Sequence, residues 1–127
     1  MKWYEDKIYI LMCRTAYEIQ KKWRPKAGDF VHDKDYKILR HAIAIVGDCG
    51  KWEIHSSEAW LPRQDQLQEM IDLAMFDKMS AFRNFVFKDT IKIYPDLLMT
   101  EEQYWLAFVM KEKYNKIWTG ENWEIKK

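Results

Sequence analysis

Asp29, His32, Asp33 and Asp35 form the densest cluster of candidate metal ligands in this chain. In an extended strand Asp29, Asp33 and Asp35 would share one face and His32 would take the other, because side chains alternate. Three carboxylates on one face suit a hard cation such as Mg²⁺ or Mn²⁺, and would make the protein a small metal-dependent enzyme. The same residues also serve a Gly-Asp turn that opens a strand and an Asp-rich turn that closes it. His32, His41 and His55 fall in or beside expected strands, with Glu53 and Glu58 close to His55, but they lack the HExxH spacing that puts two imidazoles on one metal. Ser56, Ser57 and Ser80 sit outside any GxSxG turn, and Cys13 and Cys49 outside any CxxC pair. No glycine-rich phosphate loop is present. The residues specify no catalytic centre and ask for no cofactor, so the chain leans away from an enzyme.

Recognition has more candidates. Arg63, Gln64 and Gln68 place a guanidinium and amides over the first turns of an expected helix, beside Trp60. Such groups read base edges or a peptide when they are exposed; otherwise they cap a surface helix. Lys21, Lys22, Arg24 and Lys26 form a small basic patch that would meet nucleic-acid phosphates, although cations at a helix end also complement its dipole. Aromatic residues make up 16% of the chain, with seven tryptophans. Trp is seldom wholly enclosed, so Trp118 and Trp123 are expected to be partly exposed, at a contact with a protein partner or a second copy.

The elements that position these groups follow from pattern. Tyr4, Ile8, Leu11, Met12, Ala16, Ile19 and Trp23 recur every three or four residues, which predicts a helix over about 4–23 that ends before Pro25. Short runs at Phe30–His32, Ile38–Val46 and Lys51–His55, separated by turn clusters, predict an antiparallel three-stranded meander over about 28–55; the middle run could also be helical. From Pro62, a tolerated first helical residue, Leu67, Met70, Ile71, Ala74 and Met75 form a second helical stripe. A kink or break is expected at Phe76–Met79, and Phe82, Phe85 and Val86 then resume helical spacing. Thr100 with Gln103 makes a capping box, Glu101 and Glu102 fill the first turn, and Lys111, Lys113 and Lys116 crowd the end. Tyr104 to Met110 are all uncharged, so this last helix is expected to be the central core element. Trp118–Trp123 reads as a tight turn that brings two indoles together. The expected class is α+β: a small sheet packed with N-terminal, middle and C-terminal helices, in one domain over 1–127.

Bulk properties agree. The 127 residues are 48% hydrophobic, with four Gly and three Pro, which favours a folded core over disorder. Basic and acidic residues, 21 and 20, nearly cancel, though residues 1–26 carry a net of +4 and 27–110 a net of −5. Dense cationic surface of the kind that drives non-specific DNA binding is absent overall. The uncharged run Ile8–Cys13 is too short for a secretory signal or a membrane span, so the expected place is the cytoplasm, away from membranes.

Three stretches, Trp23–Val31 (WRPKAGDFV), Trp60–Ile71 (WLPRQDQLQEMI) and Tyr104–Tyr114 (YWLAFVMKEKY), together resemble a family of small uncharacterised proteins encoded by phages and prophages of Gram-positive bacteria. The likeness follows their order across most of the chain and is weakest between Asp33 and Glu58. It implies a phage-derived accessory protein and brings no site residues with it. The expected function is a non-enzymatic binding or interaction module, with a nucleic-acid-associated accessory protein and a small metal-dependent enzyme as alternatives.

Overall fold

The structure is a computed structural model that describes residues 2–26, 28–33, 58–93 and 99–126, together with the backbone alone at 37 and 38. The chain opens with a 3₁₀ turn, Trp3–Glu5, and then α1, Lys7–Thr15. Asp6 starts α1 by accepting hydrogen bonds from the backbone N–H of Ile8 and Tyr9. The single long helix expected over 4–23 is broken at Ala16, where ψ is 74°, and α2 follows as Tyr17–Lys22. Separate starts shift the phase. Tyr9 and Cys13 turn inward, while Ile8 and Leu11 of the expected stripe are exposed.

Strand β1, Phe30–Asp33, lies between β2, Lys37–Ile38, and β3, Glu58–Leu61, antiparallel to both. The architecture is α+β, but the expected three-stranded meander over about 28–55 is corrected. Its first strand is the hub instead of an edge, and β3, its longer partner, comes after residue 55. The expected strands over 38–46 and 51–55 fall, apart from Ile38, outside the described residues. Opposite Val31, Trp60 uses its outer edge on a helix: its N–H donates to Gln20 Oε1 (2.8 Å) and its carbonyl accepts from Gln20 Nε2 (2.9 Å). The Gln20 side chain thus supplies the two bonds that a neighbouring strand would give.

Helix α3 is Gln64–Glu69, two residues later than Pro62 suggested, because Arg63 is its N-cap and donates its N–H to Gln66 Oε1. The chain breaks over 70–74, short of the expected kink, and α4 runs Met75–Asn84. A π turn, Phe85–Asp89, leads into α5, Thr90–Ile93. One extra residue in a helical turn rotates all that follows by about 100°. Thr90 is carried onto the buried face in this way, and Ile91 stays exposed.

Helix α6, Glu101–Tyr114, is the centre of the molecule, with Trp105 to Met110 all buried. Its capping box forms as expected: Gln103 N–H donates to Thr100 Oγ1 and Thr100 N–H to Gln103 Oε1. Asn115 ends it in the left-handed conformation, φ 54°. The chain then forms a hairpin, β4 Lys116–Trp118 and β5 Trp123–Ile125, with Gly120 at φ +103° in the turn, a value only glycine adopts without strain. One hydrophobic cluster unites α1, α2, β1, β3, α3, the π turn, α6 and the hairpin. Among the described residues no helix is long and apolar enough to cross a membrane.

Candidate functional site

The polar residues singled out in the sequence are largely used by the fold. Asp29 is buried, and its oxygens accept from Trp23 Nε1 (2.9 Å), the Lys26 backbone N–H (3.0 Å) and Gln66 Nε2 (2.7 Å). A carboxylate filled this way acts as a clasp between the loop after α2 and α3. Arg63 completes it by donating to the Gly28 carbonyl (3.1 Å) and pairing with Asp65. Gln64 donates to Glu102, and the backbone carbonyl of Gln68, not its side chain, accepts from the buried Lys78 Nζ. Asp33 is buried and Asp35 lies outside the described residues, as do His41 and His55. Among the described residues no three of His, Cys, Asp and Glu gather into a metal-binding group.

Trp60 does meet the basic patch. Lys22, Arg24 and Lys26 border a notch of about 240 Å³ against Trp23 and Trp60, whose near-parallel indoles lie 6.1 Å apart. Lys21 is exposed beside it. Two carboxylates, Asp29 and Glu69, also line the notch, and the Lys22 ammonium sits 5.4 Å over the Tyr114 ring, so the cations are partly offset where they gather. The expectation for Trp118 and Trp123 is overturned. They pack together at 5.1 Å but are only 2% and 9% exposed, because the hairpin folds onto α1 and Trp123 Nε1 donates to the Met12 carbonyl. No contact surface remains on them.

Among the described residues, an open apolar feature lies elsewhere. Phe76, Met79, Arg83 and Phe87 follow one another at spacings of three and four along α4 and the π turn, all on the outer face. Phe76 is 85% exposed and Phe87 65%. Between this ridge and the start of α6 runs a groove of about 610 Å³, floored and walled by Met79, Phe82, Val86, Met99 and Tyr104. Arg83 stands on the ridge side and Glu101 on the α6 side. The ridge is fastened from below. Phe82 stacks on Trp105 with ring centroids 3.7 Å apart, Phe85 packs on Phe108, and Lys111 Nζ pairs with Asp89 at 2.6 Å beneath the π turn. Its outer face is left uncovered by any described residue. Size and lining match the pockets that take apolar groups with a few polar anchors. The groove is not legible in the local pattern, which predicts a kink or break at Phe76–Met79 instead of a continuous ridge. The available signal was large apolar residues on both faces of 75–91, more than one core-facing stripe accounts for.

Four titratable groups among the described residues are shifted from their ordinary values. Burial pushes the Cys13 thiol and the Tyr9 phenol up, and Tyr9 donates to the Pro62 carbonyl. Burial, the largest single effect, opposes charge on Glu18, yet its hydrogen bonds to Lys116 and to its own backbone and the charges of Lys116 and Lys21 together hold the carboxyl below its usual value. His32 accepts at Nδ1 from Arg14 Nη2 at 2.7 Å, and a guanidinium is donor only, so the imidazole is neutral with its proton on Nε2. Burial first, and then the Arg14 charge, lowers its pKa, against a smaller opposite pull from Asp33. The unfolded chain therefore takes up this proton at a higher pH, about 6.5, than the folded one. Stability is fully present above that value and is lost as pH falls toward the folded pKa. Urea midpoints measured between neutral and mildly acidic pH should fall more steeply for the wild type than for His32→Gln, which keeps an acceptor for Arg14. Equal slopes would show that His32 does not carry this loss.

No protein-family model, curated protein or solved structure matches the chain.

Proposed function

We propose that the chain is a non-enzymatic interaction module of phage or prophage origin, working in the cytoplasm of the bacterial host. Its working surface is the apolar groove between the α4 ridge and α6. One observation carries this reading: two phenylalanines, Phe76 and Phe87, stand in solvent beside a ready-made apolar recess. Exposed apolar surface of this kind, rimmed by charge, marks sites of protein association. A groove with methionine in its wall adapts to the apolar face of an amphipathic helix. The phage origin is supported by the resemblance of the WRPKAGDFV, WLPRQDQLQEMI and YWLAFVMKEKY segments. Asp29, already filled by three N–H donors, and the mixed charge of the Trp60 notch favour this reading over the metal-dependent and nucleic-acid ones.

The test is binding of a fluorescent amphipathic helical peptide with Leu and Phe at helical spacing, read by polarisation. Wild-type protein should bind it, and the Phe76→Glu, Phe87→Glu double variant should bind at least about tenfold more weakly, the loss expected of two anchor aromatics. Both side chains are exposed, so unfolding free energy should change by no more than about 0.5 kcal/mol per site. Equal affinity of the two proteins, or no binding by either, would refute the reading.

A further inference from the structure

Resting on that reading of the groove, we propose that its occupant is an amphipathic helix of a partner protein, with a basic residue on one flank of its apolar stripe and an acidic residue on the other, about five residues apart. The walls favour a helix over an extended segment. Both are helical, with backbone groups largely bonded within the helix. An extended segment would find few backbone partners there and would bury unpaired N–H and C=O groups of its own. A helix arrives with its backbone satisfied and lays a row of apolar side chains into the recess. Its length follows from the ridge, where Phe76 and Phe87 stand roughly 16 Å, or about three helical turns, apart.

Charge supplies the rest of the signature. Arg83 on the ridge wall and Glu101 on the α6 wall are exposed, and among the described residues neither makes an ion pair. The two walls run in the same direction. Phe82 stacks on Trp105, Phe85 packs on Phe108 and Asp89 pairs with Lys111, a nearly constant offset in sequence. Glu101 lies four residues before Trp105, and Arg83 one residue after Phe82. Glu101 therefore sits nearer the Phe76 end, and Arg83 about five residues, roughly 7.5 Å, further along the groove. Five residues carry a helix about 140° past a full turn, which sets two side chains on opposite edges of one apolar face. A helix seated between the walls thus meets Glu101 with one edge and Arg83 with the other. A partner face with charges of one sign is attracted by one wall and repelled by the other, whereas a face with one charge of each sign suits both.

The test is polarisation at low ionic strength with three fluorescent helical peptides that share one Leu and Phe stripe. Their two edge positions carry Lys and Glu, Lys and Lys, or Glu and Glu. Wild type should bind the Lys and Glu peptide at least about threefold more tightly than the other two, the effect of mismatching one exposed pair. Arg83→Glu should prefer the Lys and Lys peptide, and Glu101→Lys the Glu and Glu peptide. Each preference is a ratio within one protein, so a small loss of stability does not mimic it. It should vanish when the same charges are moved to the peptide face away from the stripe. One ranking shared by all three proteins overturns the proposal. If the peptides bind alike and lose affinity together in the Phe76→Glu, Phe87→Glu variant, the charge signature is wrong and the docking groove stands. If none binds, both readings fall. Binding to anionic vesicles, or dimerisation in sedimentation, that depends on Phe76 and Phe87 in the absence of peptide binding would put a membrane or a second copy in the groove and likewise overturn the proposal.

Discussion

Asp6→Ala is expected to lower the unfolding free energy by about 2–4 kcal/mol, read from the urea midpoint at constant slope. The carboxylate is buried and does two jobs. Its Oδ1 caps α1 through the backbone N–H of Ile8 and Tyr9, which is worth about 1 kcal/mol at such a position. Its Oδ2 accepts from Gln103 Nε2 at 2.8 Å, across 97 residues of sequence. Removing it leaves that amide buried and unpaired, at a further cost of about 1–3 kcal/mol. Asp6→Asn separates the two parts. The amide oxygen can still cap α1, but the amide nitrogen meets another donor in Gln103. Adding Gln103→Glu gives that nitrogen an acceptor and leaves the acceptor for Thr100 N–H in place. The pair should therefore recover stability that Asp6→Asn alone loses. A double-mutant cycle with no coupling would show that the two helix starts are not joined here.

Gln103 also marks the line between what the sequence discloses and what it withholds. Its capping box with Thr100 is written within four residues, and the start of α6 follows from them. Its other end reaches Asp6, a partner that no local pattern names. The same division runs through the fold. The turn between Trp118 and Trp123 is legible from Thr119, Gly120 and Asn122, yet the burial of the indoles depends on partners distant in sequence, such as the Met12 carbonyl that accepts from Trp123 Nε1. The stripe through Ile8 and Leu11 obeys helical spacing, but Asp6 and Ala16 restart the helix and turn Tyr9 and Cys13 inward in their place. Strand β3 is masked in the sequence by Pro62, whose helix-starting tendency follows Glu58–Leu61 directly, and by an outer edge satisfied by a side chain, Gln20, on another helix.

The candidate site was less legible still. Polar residues attract functional readings, and here the side chains of Asp29, Arg63 and Gln64 are spent joining helices and loops to one another. Of the sequence candidates, Trp60 with Lys22, Arg24 and Lys26 is brought together around a notch; Trp118 and Trp123 are withdrawn into the core. The groove is made of residue types that ordinarily fill cores. Only the placement of α4 against α6 decides that Phe85 goes in and Phe87 stays out.

Trp105→Ala is the substitution with the largest expected effect, a loss of about 3–5 kcal/mol from a total that for a domain of this kind is about 5–15 kcal/mol. Trp105 is 1% exposed. One face of the ring stacks on Phe82, nearly parallel at 3°, and its edge meets Phe108 at 5.8 Å. Alanine would leave a cavity the size of an indole at the middle of α6. The consequence is not confined to stability, because Phe82 lies between this tryptophan and the groove. With its platform gone, Phe82 is free to sink into the cavity and the groove loses its floor. Trp105→Phe tests that link in a folded protein: it keeps an aromatic surface but a smaller one, and should be milder in stability while still weakening groove binding several-fold. The urea midpoint gives the first quantity and peptide polarisation the second. If Trp105→Phe lowers the midpoint and leaves groove affinity untouched, the groove is shaped by the ridge alone and the core beneath it only holds the ridge in place.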